Sequence, residues 1–508
     1  MTSESKEPSR PLQGHMFRGS VWTVGVRWTI RLTGVVSTIV LARLLTPADY
    51  GVVAIAMVIA GTIESFAQTG QHLALIRMPN ATREHYDSAW TMSVLIGLTL
   101  GALVSLSAPF ATLYFHEPRA TMVLHVVALR TVISGFENIG VVNFRKDLRF
   151  DRQFWYNVVP TFVSFVAALS SAFILRNYWA LVCGIMTRQI ASLVVSYIMD
   201  PFRPRFSFAK VSEIWSFSIW TLIRSIGTYF NAALDKFAIG GFAGAAAMGR
   251  YEVASDVAVS PSQEINAPMI TVLFPVMAKV AQEPEKRREL YLKVLYWSAL
   301  ICTSTAIGVA IVSSDMVDVL LGPKWHDVKP LMPWLALAFG ILGLSDSVYP
   351  TFDVLGRPHY SARLQWTRFA GLCVCVFPVA YLTHSLRDVA ITRFIVTCLI
   401  TPTLFATLAS ALDIKFGEFV ATLWRPVTSG LAMAALLSGL NLLIPFSGPG
   451  RLLIDVSTGA ATYTLVLMTL WHLTGRPEGP ETSLYNFVRA LQSRPGVVSP
   501  AGAKRISE

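Results

Sequence analysis

Charged side chains are scarce in this sequence: Asp, Glu, Lys and Arg make up 14% of its 508 residues, where soluble domains carry about a quarter. With 53% hydrophobic residues and a mean hydropathy of +0.52, that shortage excludes an ordinary soluble domain. Cysteine is also rare. The five present, Cys183, Cys302, Cys373, Cys375 and Cys398, all fall inside apolar stretches. Cys373 and Cys375 are two apart, so on a helix they point away from each other, and no disulfide framework or metal site follows. There is no G-x-x-x-x-G-K-[ST] phosphate loop, so the chain does not hydrolyse ATP itself. No His, Cys or Ser constellation resembles a nucleophilic site, and no cofactor is expected. Long polar loops are missing as well. No segment between apolar runs exceeds about 20 residues, which leaves no extramembrane domain and places any function within the bilayer.

Apolar runs fill the space left by these absences. Stretches of roughly 20 residues, each long enough to cross a ~30 Å hydrocarbon core, recur from Val21 to His472. They predict an all-α, polytopic integral membrane protein with about fourteen transmembrane helices: 21–41, 51–72, 89–113, 121–141, 154–175, 179–198, 214–233, 249–275, 294–313, 331–352, 364–383, 389–411, 427–445 and 453–473. Polar or Gly/Pro-bearing segments such as "LTPADYG", "DPFRPRFSFAK" and "LGRP" separate them. Residues 1–15 read as a disordered cytoplasmic tail, and 476–508 as a polar, basic one in which Leu484, Phe487, Val488 and Leu491 could form a short interfacial helix.

The net charge of +11 comes mainly from short loops, a pattern that suits anionic lipid headgroups rather than nucleic acid. With the N-terminus in the cytoplasm, the loops and tails on that side hold roughly 26 Lys and Arg against roughly 9 on the other. Both termini are therefore expected in the cytoplasm.

The tetrapeptide "SVWT" at Ser20–Thr23 returns as "SIWT" at Ser218–Thr221, and at the same offset of 198 Gly51 meets Gly249. About five of 32 aligned positions are identical, but both ends hold register without a gap. Six spans separate the copies, so both cross the membrane in the same sense. This predicts two pseudo-symmetric six-helix lobes, 16–200 and 201–415, related by an axis along the membrane normal, with a helix pair, 416–475, appended.

An ionisable group deep in a span is costly and usually faces a cavity or a partner. Arg31, Arg130, Arg188 and Arg224 lie about ten residues inside their spans, too deep for easy escape to the interface; Arg27 is shallower. At 100° per residue Thr23, Arg27, Arg31, Gly34 and Thr38 share one stripe of span 1, and Trp220, Arg224, Gly227 and Asn231 share one of span 7. Glu64, Gln68 and Gln71 share a face of span 2, and Arg130 and Glu137 one of span 4. Span 8 carries Glu252, Asp256 and Gln263 on one side, with Pro261, Pro268 and Pro275 as candidate kinks. Cationic inner faces select an anion, and arginine's planar fork suits phosphate oxygens. Arg27, Arg31, Arg130, Arg188, Arg224 and Asn231 are the candidate substrate-binding residues; Glu64, Asp256 and Glu137 are candidates for ion coupling. Structural alternatives remain for several: snorkelling of Arg27, a neutralising Arg31–Glu64 pair, and plain solvation of Glu252 and Asp256.

The segments "LARLLTPADYGVVAIA" (Leu41–Ala56), "FRKDLRFDRQ" (Phe144–Gln153), "MGRYEVA" running into "LFPVMAKV" (Met248–Val280), "LGPKWHDVKPLM" (Leu321–Met332) and "LGRP" (Leu355–Pro358) resemble the Wzx-type polysaccharide flippases. These belong to the multidrug/oligosaccharidyl-lipid/polysaccharide exporter superfamily. The resemblance covers most of residues 16–420. It implies two pseudo-symmetric lobes, twelve to fourteen helices and a cationic cleft. It also implies translocation of undecaprenyl-diphosphate-linked oligosaccharide to the outer leaflet of the bacterial inner membrane, with a polysaccharide polymerase and other glycan-assembly proteins as partners. It transfers no functional residue. Three rivals stand beside it: an exporter of small amphipathic cations in the same fold, a membrane-embedded polymerase or glycosyltransferase, and a structural scaffold. The second lacks the sizeable loop that such enzymes use, and the third leaves deep arginines unexplained.

Overall fold

The computed structural model describes residues 12–476, apart from 67–73, 77, 79, 148, 215–218, 281 and 444–447, together with 481–482. Among these residues there is no strand. The long helices, in chain order, are α1 (Leu12–Leu44), α2 (Pro47–Ser65), α3 (Arg83–Phe115), α4 (Arg119–Gly135), α5 (Phe150–Leu175), α6 (Trp179–Met199), α7 (Ile219–Ala243), α8 (Ala245–Lys279), α9 (Pro284–Met316), α10 (Met332–Ser345, continued by Val348–Val354), α11 (Pro358–Thr383), α12 (Leu386–Leu412), α13 (Phe416–Leu443) and α14 (Pro449–Leu473). Ten of them are long and apolar enough to cross a membrane, eleven if α4 and the segment Ile139–Lys146, turned from it by 67°, count as one span. α7 and α8 are not among them; both carry charge along their length (Arg224, Asp235 and Lys236; Arg250, Glu252, Asp256 and Glu264), and polar helices at membrane depth must turn that face inward.

Turn chemistry explains where the chain reverses. Thr46 and Asp49 form a capping box at the start of α2: the Thr46 amide donates to Asp49 Oδ2 (2.9 Å), the Asp49 amide to Thr46 Oγ1 (3.3 Å), and Pro47 opens the helix. Several expectations are corrected at this level. The helix beginning at Leu12 takes in residues 12–15, assigned above to a disordered tail. α8 is one continuous helix that includes Pro261, Pro268 and Pro275, which stay candidate kinks within it. α4 ends at Gly135, where a β-carbon would lie 2.6 Å from Ser93 O. Glu137 therefore sits in the bend beyond α4, off the helical face that it was expected to share with Arg130. Leu484, Phe487, Val488 and Leu491, like Gln68 and Gln71, lie outside the described residues.

The two copies of the repeat meet each other. A β-carbon on Gly51 would come within 1.8 Å of Ala245 O, and one on Gly249 within 2.0 Å of Pro47 O. Pro47 and Ala245 are also 198 residues apart, so the contact is reciprocal: position 51 touches the counterpart of 47, and position 249 touches 47 itself. Only glycine permits so close a helix crossing here. The segment after α9 bolts this end shut. Trp325, fully buried, donates Nε1 to Ala42 O (2.9 Å) and stands edge-on to Tyr50. Lys324 Nζ reaches Arg43 O (3.1 Å), and Asp327 pairs with Arg250 (3.1 Å). At the opposite end, the linker between the two copies is tied to the start of α3: the amides of Arg205, Ser207 and Lys210 donate to Asp87 Oδ1, Thr91 Oγ1 and Ser88 Oγ (2.8, 3.0 and 3.1 Å). α13 and α14 pack on α9 and on each other. Beyond α14, Glu481 is buried against Arg425 Nη1 (2.9 Å) and Tyr296 OH, so this part of the C-terminal segment is docked rather than free.

Candidate functional site: a charged chamber

A chamber of about 840 Å³ opens among α7, α8, α10, α11 and α12. Along α7 its wall runs from Arg224 to Lys236, about 18 Å of helix rise. Its depth holds a buried triad. Asp235 (0% exposed) accepts hydrogen bonds from Arg393 Nη1 and from Tyr251 OH, and Arg393 (3% exposed) also lies over the Phe339 ring at 5.1 Å. Such a pair is held in place by its own desolvation: each charge is tolerable only while the other is present. Elsewhere along the wall, Arg224 pairs with Asp353, and Lys236 Nζ with Glu252 Oε2 at 2.5 Å. Asn231 donates to Gly227 O (2.7 Å) and Gln365 O (2.9 Å). Asp256, Asp346 and Arg368 complete the ionisable lining.

Of the nine residues singled out from sequence, Arg224, Asn231 and Asp256 line this chamber, and Arg31, Arg130, Arg188, Glu64 and Glu137 do not. Arg31 pairs loosely with Glu264 of α8 at 3.8 Å, both side chains about one-third exposed. The Arg31–Glu64 pair considered above does not form, because Glu64 is taken by Arg130, with Thr131 Oγ1 donating to the same oxygen (2.7 Å). Glu137 accepts from Tyr156 OH (2.8 Å) and Gln189 Nε2 (2.7 Å), and Arg188 beside it is exposed. The Arg27 side chain lies outside the described residues. Arg130 and Arg224 are thus each already matched to a carboxylate, while Arg31 keeps only its long contact with Glu264.

Asp235, Lys236, Arg368, Arg393 and Asp346 were missed. Asp235 lies one turn beyond Asn231 on the stripe that contains Arg224 and Asn231, but the span had been ended at 233, whereas α7 continues to Ala243. Arg368 and Arg393 sat four residues inside their predicted spans and looked like end residues; the earlier start of α11, at Pro358, puts Arg368 ten residues inside.

Over residues 40–330 the sequence matches the family described as "Polysaccharide biosynthesis protein". The chain belongs to that family. Among its relatives, the succinoglycan biosynthesis transport protein ExoT of Rhizobium meliloti (strain 1021) is 23% identical over 476 residues, which cover 91% of this chain and 93% of ExoT. The lipopolysaccharide biosynthesis protein WzxC of Escherichia coli (strain K12) is 23% identical over 338 residues, 65% of this chain and 67% of WzxC. The polysaccharide biosynthesis chain also shares its fold with the lipid II flippase MurJ in an inward closed conformation: TM-score 0.73 at 12% identity, over 90% of this chain and 99% of that one.

Proposed function

We propose that this chain is a transporter that moves a polyprenyl-diphosphate-linked oligosaccharide between the leaflets of the bacterial inner membrane, for surface or exopolysaccharide assembly. The observation that carries this reading is the distribution of charge: α7 and α8 bring Arg224 and Asp256 to the wall of a chamber inside a bundle of membrane-length helices, and Arg31 of α1 faces Glu264 of α8 at 3.8 Å. Membership of a polysaccharide biosynthesis family, and relatives named for lipopolysaccharide biosynthesis and succinoglycan transport, supply the substrate class.

Two lobes, 16–200 and 201–415, rock about the reciprocal Gly51–Gly249 crossing, with 416–475 as an added helix pair. The Lys and Arg bias puts both termini in the cytoplasm and the sealed α1–α2 end outside. In this arrangement the polyprenyl tail stays in lipid while the diphosphate enters between the lobes, drawn by Arg31, with Arg27 one helical turn before it in sequence and Arg130 and Arg188 as further candidate contacts. Arg31 is the best placed, because a 3.8 Å pair with Glu264, itself about one-third exposed, holds it weakly. Glu64 offers a coupling device: a proton on its carboxylate releases Arg130 for the substrate. Asp256 and Glu137 are the other candidates for ion exchange. Deleting the chain is expected to abolish the surface polysaccharide and to accumulate its lipid-linked precursor in the cytoplasmic leaflet. A deletion strain with intact glycans and raised sensitivity to cationic drugs would overturn this reading in favour of a small-cation exporter.

A further inference from the structure

The linker between the two copies of the repeat is a strap rather than a free tether. Residues 200–208 run without regular secondary structure beside the start of α3, and one side of the segment is pinned throughout. Asn138, 0% exposed, donates Nδ2 to Phe202 O (2.9 Å) and Asp200 O (3.2 Å). The Phe202 ring lies against Tyr86, and further amides of the linker donate to Asp87, Thr91 and Ser88. The other side is open. Phe206 and Phe208, two apart and so on the same side of an extended chain, are 67% and 66% exposed.

Beside these rings the charges do not cancel. The carboxylates that touch the strap are occupied: Asp87 by the Arg205 amide (2.8 Å) and Arg83 (3.6 Å), Asp200 by the Phe202 amide (2.9 Å), and Glu213 by Lys210 (2.6 Å) and His85 (3.0 Å). Arg203 is exposed and donates to main-chain oxygens of Asp200, Phe202 and Tyr197 (2.9, 2.9 and 3.1 Å), which leaves its charge unmatched. The exposed Arg205 side chain makes no hydrogen bond or ion pair among the described residues. Depth along α3, a membrane-length helix, says what meets this surface. Asp87, Ser88 and Thr91 are buried, and the first exposed apolar side chains of α3, Leu95 and Leu98 (45% each), begin one turn past Thr91, about 6 Å further on. The strap therefore lies at the edge of the hydrocarbon, where interfacial segments bury apolar side chains about 5–10 Å into the boundary between headgroups and acyl chains. A protein partner would have to reach beneath the headgroups to cover Phe206 and Phe208.

We infer that the strap is an interfacial anchor for anionic phospholipid: Phe206 and Phe208 enter the headgroup–acyl boundary, and Arg203 and Arg205 bind lipid phosphates above them. Two arginines without carboxylate partners favour a lipid of net negative charge over a zwitterionic one. The junction between the two repeats is thereby tied to the bilayer surface. The inference needs α3 to span the bilayer and is independent of what the chain transports.

The test uses full-length Phe208→Trp protein in zwitterionic vesicles that contain a small fraction of phospholipid brominated on its acyl chains, either anionic or zwitterionic. Bromine in contact with an indole quenches its fluorescence. The chain has 13 tryptophans of its own, so the signal is the difference from the wild-type protein. The anionic lipid is expected to be held at the strap roughly 25-fold more tightly than the zwitterionic one, about fivefold for each arginine. Adding Arg205→Gln should cut that preference about fivefold, and raised salt should weaken it in both proteins. Because the Arg205 side chain bonds nothing among the described residues, this variant should unfold at the wild-type temperature, which separates lipid binding from folding. Equal quenching by the two lipids, or a preference that Arg205→Gln leaves unchanged, overturns the inference. An introduced indole that neither lipid quenches would place the strap in water or against a protein, and overturns it as well.

Discussion

Arg393→Leu protein, solubilised and heated, is expected to lose its fold well below the wild-type temperature, with about 3–5 kcal/mol of stability gone. The substitution leaves Asp235, 0% exposed, as an uncompensated charge in the bundle, with only the Tyr251 hydroxyl to bond it. Asp235→Leu should cost a similar amount by stranding the guanidinium. The double variant Asp235→Leu/Arg393→Leu is expected to recover most of the loss, since a buried pair replaced by apolar groups of similar size is often close to neutral. The cycle is read from the unfolding temperatures of all four proteins. Additive losses in the double variant would show that the two side chains act separately and that the triad does not hold α7 to α12.

The second large effect concerns transport rather than folding. Arg31→Glu is expected to reduce translocation by at least about 30-fold, the equivalent of roughly 2 kcal/mol for a lost charge-assisted contact, before like-charge repulsion is added. Arg224→Gln should do much less, because Arg224 is already engaged by Asp353. Stability should follow the opposite order. Arg31 is about one-third exposed and paired at 3.8 Å, so its loss is nearly neutral for the fold, while Arg224→Gln strands Asp353. Initial rates in vesicles, set beside unfolding temperatures, check both halves. Equal loss of transport from the two variants would contradict the placement of the diphosphate near α1.

Much of the fold was legible because bilayer physics is written locally. Apolar length, the Thr46–Pro47–Asp49 turn chemistry and the repeated Gly51 and Gly249 are all contained within short windows, and the structure uses each of them. The candidate site was legible only in part. Depth along a span identified Arg31, Arg130 and Arg224, but depth does not say who the partner is. Arg224 meets Asp353 across 129 residues, and Arg393 meets Asp235 across 158; no window contains both members of either pair. Asp235 and Lys236 were lost for a further reason: a charged doublet depresses local apolarity and looks like the end of a span, when here it marks the wall of the chamber.

The central claim is that this chain carries a diphosphate-linked glycan across a bilayer. Purified full-length protein, reconstituted into vesicles whose outer leaflet is loaded with a fluorescent polyprenyl-diphosphate oligosaccharide, tests it most directly. Probe protected from an impermeant quencher should accumulate far faster than in vesicles without protein, and Arg31→Glu should remove that gain. Wild-type vesicles that protect the probe no faster than empty ones, with the protein folded and inserted, would contradict the account.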